Sequence, residues 1–181
     1  MAQIQSQLLD HVDIKTENVY TFPLDLPRET VFSFCEEYEK TIAQVGGIDI
    51  QVLGIGQCGN IAMNEPGTQS NSYTRLVIMD NNSRMDVKSL FGNAEQVPNC
   101  AITLGINTIL QAKEVILMAF GQHKASIVKQ AIEEVVSATC PASYLQHHKK
   151  ASFVLDLDAA NKLTRINHPW KVTNCEWTDQ L

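Results

Sequence analysis

The stretch from Ile48 to Gly67, IDIQVLGIGQCGNIAMNEPG, constrains this chain more than any other. Ile48-Asp49-Ile50-Gln51-Val52-Leu53 is an apolar run that reads as a buried strand. It breaks into Gly54, Gly56 and Gly59 and closes on the polar turn Asn64-Glu65-Pro66-Gly67. A strand that stops abruptly in a glycine-rich turn is expected to deliver backbone N–H groups to a ligand.

The elements around it set the fold class. Val31, Phe34, Cys35, Tyr38 and Ile42 fall at helical spacing, with Glu29, Glu36, Glu37, Glu39 and Lys40 on the other face. Gly46-Gly47 ends that helix. Tyr73–Met79 reads as a second strand and Asp80–Ser83 as a turn or cap. Arg84–Gly92 reads as a short helix with Met85, Leu90 and Phe91 inward. Cys100–Leu104 fits either an extended or a helical segment.

Val115–Phe120 is an uninterrupted apolar run of strand length, and Gly121 stops it. Gln122–Val136 follows as a helix with Ile127, Val128, Ala131, Ile132 and Val135 at core spacing. Pro141–His147 is a further short helix, Ser152–Leu157 the last strand, and Asp158–Leu163 a short helical stretch. At the ends, Gln3–Leu9 reads as helical and Glu17–Tyr20 as extended. Ile166–Leu181 reads as irregular, anchored by Trp170 and Trp177. Strands alternate with helices and are apolar on both faces. That predicts an α/β fold: three layers, a mainly parallel sheet and helices on both faces. Ligands in such sheets bind beyond the carboxyl ends of the strands. Gly54–Gly59, Asp80, Gly121–Lys124 and Asp156–Asp158 all fall there and are candidates for one cleft.

Composition narrows the function. A chain of 181 residues suffices for a single domain, 1–181. The net charge of −6 argues against a nucleic-acid-binding surface. No apolar run reaches the roughly 18 residues of a membrane span. The N-terminus lacks a signal-peptide pattern, which places the protein in the cytoplasm. Cys35, Cys58, Cys100, Cys140 and Cys175 show no C-x-x-C pair, so neither a disulfide framework nor a zinc site is expected. His147 and His148 are adjacent and read as a surface pair. Gly54-Ile55-Gly56-Gln57-Cys58-Gly59 matches G-x-G-x-x-G, with Asp80 after the next strand. A dinucleotide fold would need a crossover helix there, and Asn64–Asn71 is a proline- and glycine-broken loop instead.

GIGQCGNIAMNEPG resembles the signature of the glucosamine-6-phosphate deaminase/isomerase family, usually G-x-G-x-D-G-H-I-A-F-N-E-P. DHVDIKTENVY, Ser72–Arg75, VPNCAITLGINTILQAKEVILMAFGQHKA and YLQHHKKASFVLD resemble successive blocks of the same family, covering Asp10 to Asp156. The resemblance implies conversion of glucosamine 6-phosphate to fructose 6-phosphate and ammonia. The implied route is ring opening, aldose–ketose isomerisation and loss of ammonia, with no metal or organic cofactor. It also implies a hexosamine phosphate or related sugar phosphate as partner, with no nucleic acid and no membrane.

Residue by residue, Glu65 matches the family's motif glutamate, and Asn60 stands where the family has its ring-opening histidine. Cys58 stands where it has an aspartate. These are the catalytic candidates. Asparagine binds sugar oxygens but does not relay a proton. Gly54 and Ala62 match positions whose backbones approach the sugar, and Lys124 matches a phosphate-binding lysine. A family arginine expected near Ser89 is absent, and Arg84 is not its equivalent. Arg75 matches a strand arginine linked in some members to an effector phosphate, but its usual basic companion is Val77.

The match begins mid-family, so the chain reads as the C-terminal part of a divergent member, without the segments holding the phosphate loop and the proton-transfer base. Three expectations follow: a parent isomerase/deaminase with little turnover by this chain alone, a catalytically silent sugar-phosphate-binding or regulatory module, or an assembly unit. An open sheet edge predicts a homo-oligomer.

Overall fold

In the computed structural model the run Ile50–Gly54 forms strand β1, and the structure describes residues 2–23 and 26–168. The first unit, Met1–Val31, holds helix α1 (Ala2–Gln7) and 3-10 turns at Leu9–His11, Thr16–Asn18 and Arg28–Thr30. Glu17–Asn18 is therefore helical rather than extended, its turn closed by Asn18 N–H donating to Lys15 O at 2.9 Å. Ile4 and Leu8 are exposed.

The second unit, Phe32–Leu181, carries the core. Its elements are α2 (Val31–Gln44), β1, β2 (Arg75–Ile78), α3 (Asn81–Phe91), β3 (Cys100–Thr103), α4 (Ile106–Leu110) and β4 (Glu114–Ala119). After them come α5 (Ala125–Glu133), a 3-10 helix over Pro141–His147, β5 (Ala151–Leu155), α6 (Leu157–Ala160) and α7 (Thr164–Asn167). The Trp170 and Trp177 anchors lie outside the described residues.

The main sheet is parallel, in the order β1-β4-β5, with Leu53 opposite Leu117 and Leu117 opposite Phe153. That row faces the core with Val115 and Ala119. Ile106 and Ile109 of α4, Ile127, Val128 and Ala131 of α5, and Ala142 and Leu145 of the 3-10 helix complete the cluster. The helical spacing read for 122–136 holds through Ile132, which packs against the core. Val135 lies past the end of α5 and is exposed.

The strands are apolar on both faces, as expected, but among the described residues the core cluster lies against one face only. Ile50, Val52, Met118 and Val154 on the other face are exposed.

Tyr73–Met79 does not join the parallel sheet. β2 pairs antiparallel with β3 in a separate ribbon, Arg75 opposite Thr103 and Ile78 opposite Cys100. Cys100–Thr103 is thereby extended, because the ribbon gives its backbone groups partners. Asp80 caps α3 by accepting from Ser83 N–H at 2.8 Å, and Gly92 at φ 85° follows the helix. Met85, Leu90 and Phe91, expected inward, are exposed. Among the described elements α3 packs mainly on the short 3-10 turn Ala94–Gln96 and not on a strand, which leaves it no sheet face for a full apolar stripe. At the base of the ribbon, Ser72 caps α4. Its Oγ accepts from Ile106 N–H at 3.0 Å and its carbonyl from Asn107 N–H at 2.9 Å. Gly105 permits this approach, since a Cβ there would lie 2.1 Å from the Ser72 carbonyl oxygen.

Candidate functional site

β1 ends at Gly54 and the chain folds back on itself at once. Gly56 N–H donates to Asn60 O at 2.9 Å, and Gly59 N–H to Gly56 O at 3.0 Å. The expected ligand donors at Gly56 and Gly59 are thus satisfied inside the turn. Gly56 is needed for another reason: a Cβ there would lie 1.9 Å from Asn60 Oδ1. The buried Asn60 side chain packs where a larger residue at 56 would project, and its Nδ2 donates to Ser83 Oγ at 3.4 Å. Gly59, at φ 79°, passes against Cys140, whose Sγ would lie 2.6 Å from an added Cβ.

The next turn, Ile61–Asn64, is closed by a bridge between those two residues. Both are fully buried, while Ala62 between them sits at φ 50° and is exposed. Asn64 organises the turn. Its Nδ2 donates to Ile61 O at 3.0 Å and Leu104 O at 2.8 Å, and its Oδ1 accepts from Arg75 Nη1 at 2.9 Å. Arg75 also donates to Tyr73 O and Thr68 Oγ1. Burial pulls the Arg75 guanidinium below its usual pKa. Met63 N–H donates to Thr103 Oγ1 at 3.1 Å, tying the turn to the ribbon.

The third wall comes from the end of β4. Gly121, at φ 86°, donates its N–H to both carboxylate oxygens of Asp156, at 3.0 and 2.9 Å, and Asp156 also caps α6 through Ala159 N–H. The 3-10 turn Gln122–Lys124 then turns Lys124 back toward β1, where its Nζ donates to Ile55 O at 2.8 Å.

These walls enclose a cleft of about 510 Å³ at the carboxyl end of the sheet, lined by 54–57, 60, 62, 63, 83, 87, 123 and 124. That is the size of a small-ligand site. The expected constellation is brought together in part. Gly54, Asn60, Ala62 and Lys124 line the cleft. Glu65 and Cys58 are half-buried and are not among its described lining residues. Asp80 and Asp156 act on the backbone, through Ser83 and Gly121, rather than facing the cleft. His123, within the segment Gly121–Lys124 expected at the cleft, belongs to the lining; Ser83 also lines it and Asn64 supports it, without either having been singled out from the sequence. The Asn-Glu-Pro turn held the only signal for Asn64, since a motif does not say which side chain turns inward.

Residues 1–154 match the family described as glucosamine-6-phosphate isomerases/6-phosphogluconolactonase, and the chain belongs to it. A glucosamine-6-phosphate deaminase-like protein of Bacteroides thetaiotaomicron is 49% identical over 178 residues, 98% of this chain and 27% of the relative. The glucosamine-6-phosphate deaminase of Shewanella loihica is 44% identical over 160 residues, 88% of this chain and 59% of the relative. Among solved structures, a monomeric glucosamine-6-phosphate deaminase superposes with a TM-score of 0.81 at 32% identity, over 88% of this chain and 66% of that one. The 6-phosphogluconolactonase of Trypanosoma cruzi shares the fold, with a TM-score of 0.59 at 23% identity over 78% of this chain and 55% of that one. The chain therefore spans less than two thirds of the length of these relatives. No described helix is long and apolar enough to cross a membrane.

Proposed function

We propose that the cleft binds a hexosamine phosphate or a related sugar phosphate, and that the chain contributes this site to a glucosamine-6-phosphate isomerase/deaminase activity in the cytoplasm. One observation carries the reading: a half-buried ammonium, Lys124 Nζ, is fixed by Ile55 O beside a glycine-walled cleft. An ammonium has three donors, and this bond uses one. The other two are available to a phosphate, as Gly54 and Ala62 leave room for a sugar. Family membership and the named relatives support the same ligand class.

For this chain alone the reading is binding without turnover. Glu65 and Cys58 are not among the described lining residues, and Asn60 is packed on Gly56 and Ser83 and relays no proton. Titration calorimetry with glucosamine 6-phosphate tests it. Binding lost in Lys124→Ala, with no fructose 6-phosphate or ammonia released, is the expected result. Absence of binding to any sugar phosphate sinks the proposal.

We further infer that the chain self-associates through the water-facing side of its parallel sheet, with a second copy as the occupant. Parallel sheets are ordinarily covered on both faces. Here Val52 and Ile116 are register partners, as are Gly54, Met118 and Val154, and this joins the exposed residues into one apolar patch. A second copy presents the same patch, which suits two-fold pairing. Light scattering at micromolar concentration should show a dimer or larger species that becomes a monomer in the double variant Val52→Lys, Val154→Lys. A monomeric wild-type chain removes the inference.

A further inference from the structure

The cleft has one polar side chain with no hydrogen-bond partner among the described residues. Lys124 is held by Ile55 O, Asn60 and Ser83 bond each other, and Gln57 is engaged elsewhere. His123 also lines the cleft, is exposed, and has no hydrogen-bond partner among the described residues. Its place is set by the backbone. Asp156 clamps Gly121 N–H, and Gly121 takes φ 86°. The imidazole lies along the bare face of that glycine, so that an added Cβ would sit 3.0 Å from its Nδ1 and 3.1 Å from its Cε1. His123 and Lys124 are thus consecutive residues of one 3-10 turn whose side chains line the same cleft.

We propose that His123 is a ligand-contacting residue, and that His123 and Lys124 together form the phosphate anchor of the cleft. The proposal rests on the sugar-phosphate reading above. A phosphate monoester has three terminal oxygens, more than the two remaining ammonium donors of Lys124 can satisfy. An imidazole beside it adds a ring N–H and, when protonated, a second positive charge. Charge-assisted bonds of this kind are stronger than neutral ones and are specific for anions. Packing against Gly121 restricts the ring before the ligand arrives, so less ordering is needed on binding.

The test is calorimetry at about pH 6, within the range where histidine changes charge. The titrants are glucosamine 6-phosphate and inorganic phosphate, against wild type, His123→Phe, His123→Lys and Lys124→Ala. Phenylalanine keeps the ring on Gly121 and removes both nitrogens; lysine restores a cation without the ring. His123→Phe should weaken both ligands about tenfold, and His123→Lys should stay within about threefold of wild type. His123→Phe binding as tightly as wild type, while Lys124→Ala is weak, overturns the role of His123 and leaves the sugar-phosphate reading standing. Equal losses in His123→Phe and His123→Lys overturn it too, because they mark a packing role. A loss confined to glucosamine 6-phosphate overturns the placement at the phosphate. No binding by wild type to either titrant overturns both this proposal and the reading beneath it.

Discussion

Arg75 Nη1 donates to Asn64 Oδ1 at 2.9 Å, so a strand of the ribbon holds the turn that walls the cleft. The fully buried amide of Asn64 serves three partners at once: Arg75, Ile61 O and Leu104 O.

Asn64→Ala should therefore cost about 3 kcal/mol, because the two carbonyls and the guanidinium lose their partner in a dry site. Asn64→Asp should also destabilise. It keeps an acceptor for Arg75 but has no donors for the carbonyls. Urea unfolding checks both, and losses below about 1 kcal/mol would show that the turn is held by other means.

Ala62 lies in the left-handed region at φ 50°. A non-glycine residue there costs roughly 1–2 kcal/mol, and glycine gives back about 0.5–1 kcal/mol through its freer unfolded chain. Ala62→Gly should gain about 0.5 kcal/mol, whereas Ala62→Val should lose more than about 1 kcal/mol. Opposite signs in denaturant midpoints are the diagnostic; a loss in both would refute strain at this position.

Gly56 and Asn60 should be energetically coupled, because a Cβ at 56 would lie 1.9 Å from Asn60 Oδ1. Gly56→Ala should cost about 2 kcal/mol in the wild-type chain and clearly less when Asn60 is already Ala. A double-mutant cycle that closes to zero would contradict the contact.

Burial pushes the Cys140 thiol above its usual pKa; Glu134 adds to this, while backbone hydrogen bonds at Ser143 and Ala142 oppose it. Cys35 is raised by burial and then by the charge of Glu39, and Tyr38 by burial. A group whose folded pKa exceeds its unfolded one contributes its full stability below the unfolded value. That stability is lost as pH rises toward the folded value. Stability should therefore fall above about pH 8.5, where unfolded cysteines ionise and the buried ones do not. Cys140→Ala should flatten this alkaline slope at a cost in packing. Urea midpoints compared between neutral and alkaline pH decide the matter, and an unchanged slope would exclude Cys140 as a source.

Much of this architecture is written locally. The apolar runs ending at Leu53, Phe120 and Leu157 each overlap one of the three parallel strands to within a residue or two at the ends, and Val31, Cys35 and Tyr38 mark a helix by their spacing alone. Pairing is not local. Nothing in Arg75–Ile78 says that it bonds Cys100–Thr103 rather than β1, so the ribbon could not be read. Glu39 looks like one more solvent carboxylate on α2. In the fold its Oε1 accepts from Thr74 N–H at 2.7 Å, Thr74 Oγ1 at 2.5 Å and Thr108 Oγ1 at 2.6 Å, partners 35 and 69 residues away. At the cleft, the glycines announced a tight turn but not the inward satisfaction of Gly56 and Gly59. The residues flanking Asn64 gave no sign that it would be the fully buried centre of the turn.

The ribbon β2–β3 is a thin piece of structure. It has two strands, Ile78 is exposed, and Ser72 fastens its base to α4. Strand pairs of this kind are marginal without further packing. Amide hydrogens of Leu76 and Ile78 should accordingly exchange with solvent well before those of Val115 and Leu117 in the central strand. The ribbon is continuous with α3, which brings Ser83 and Val87 to the cleft. One wall of the cleft should thus exchange slowly, with the central strand, and another quickly, with the ribbon. A bound ligand would register first as slowed exchange in residues 75–87.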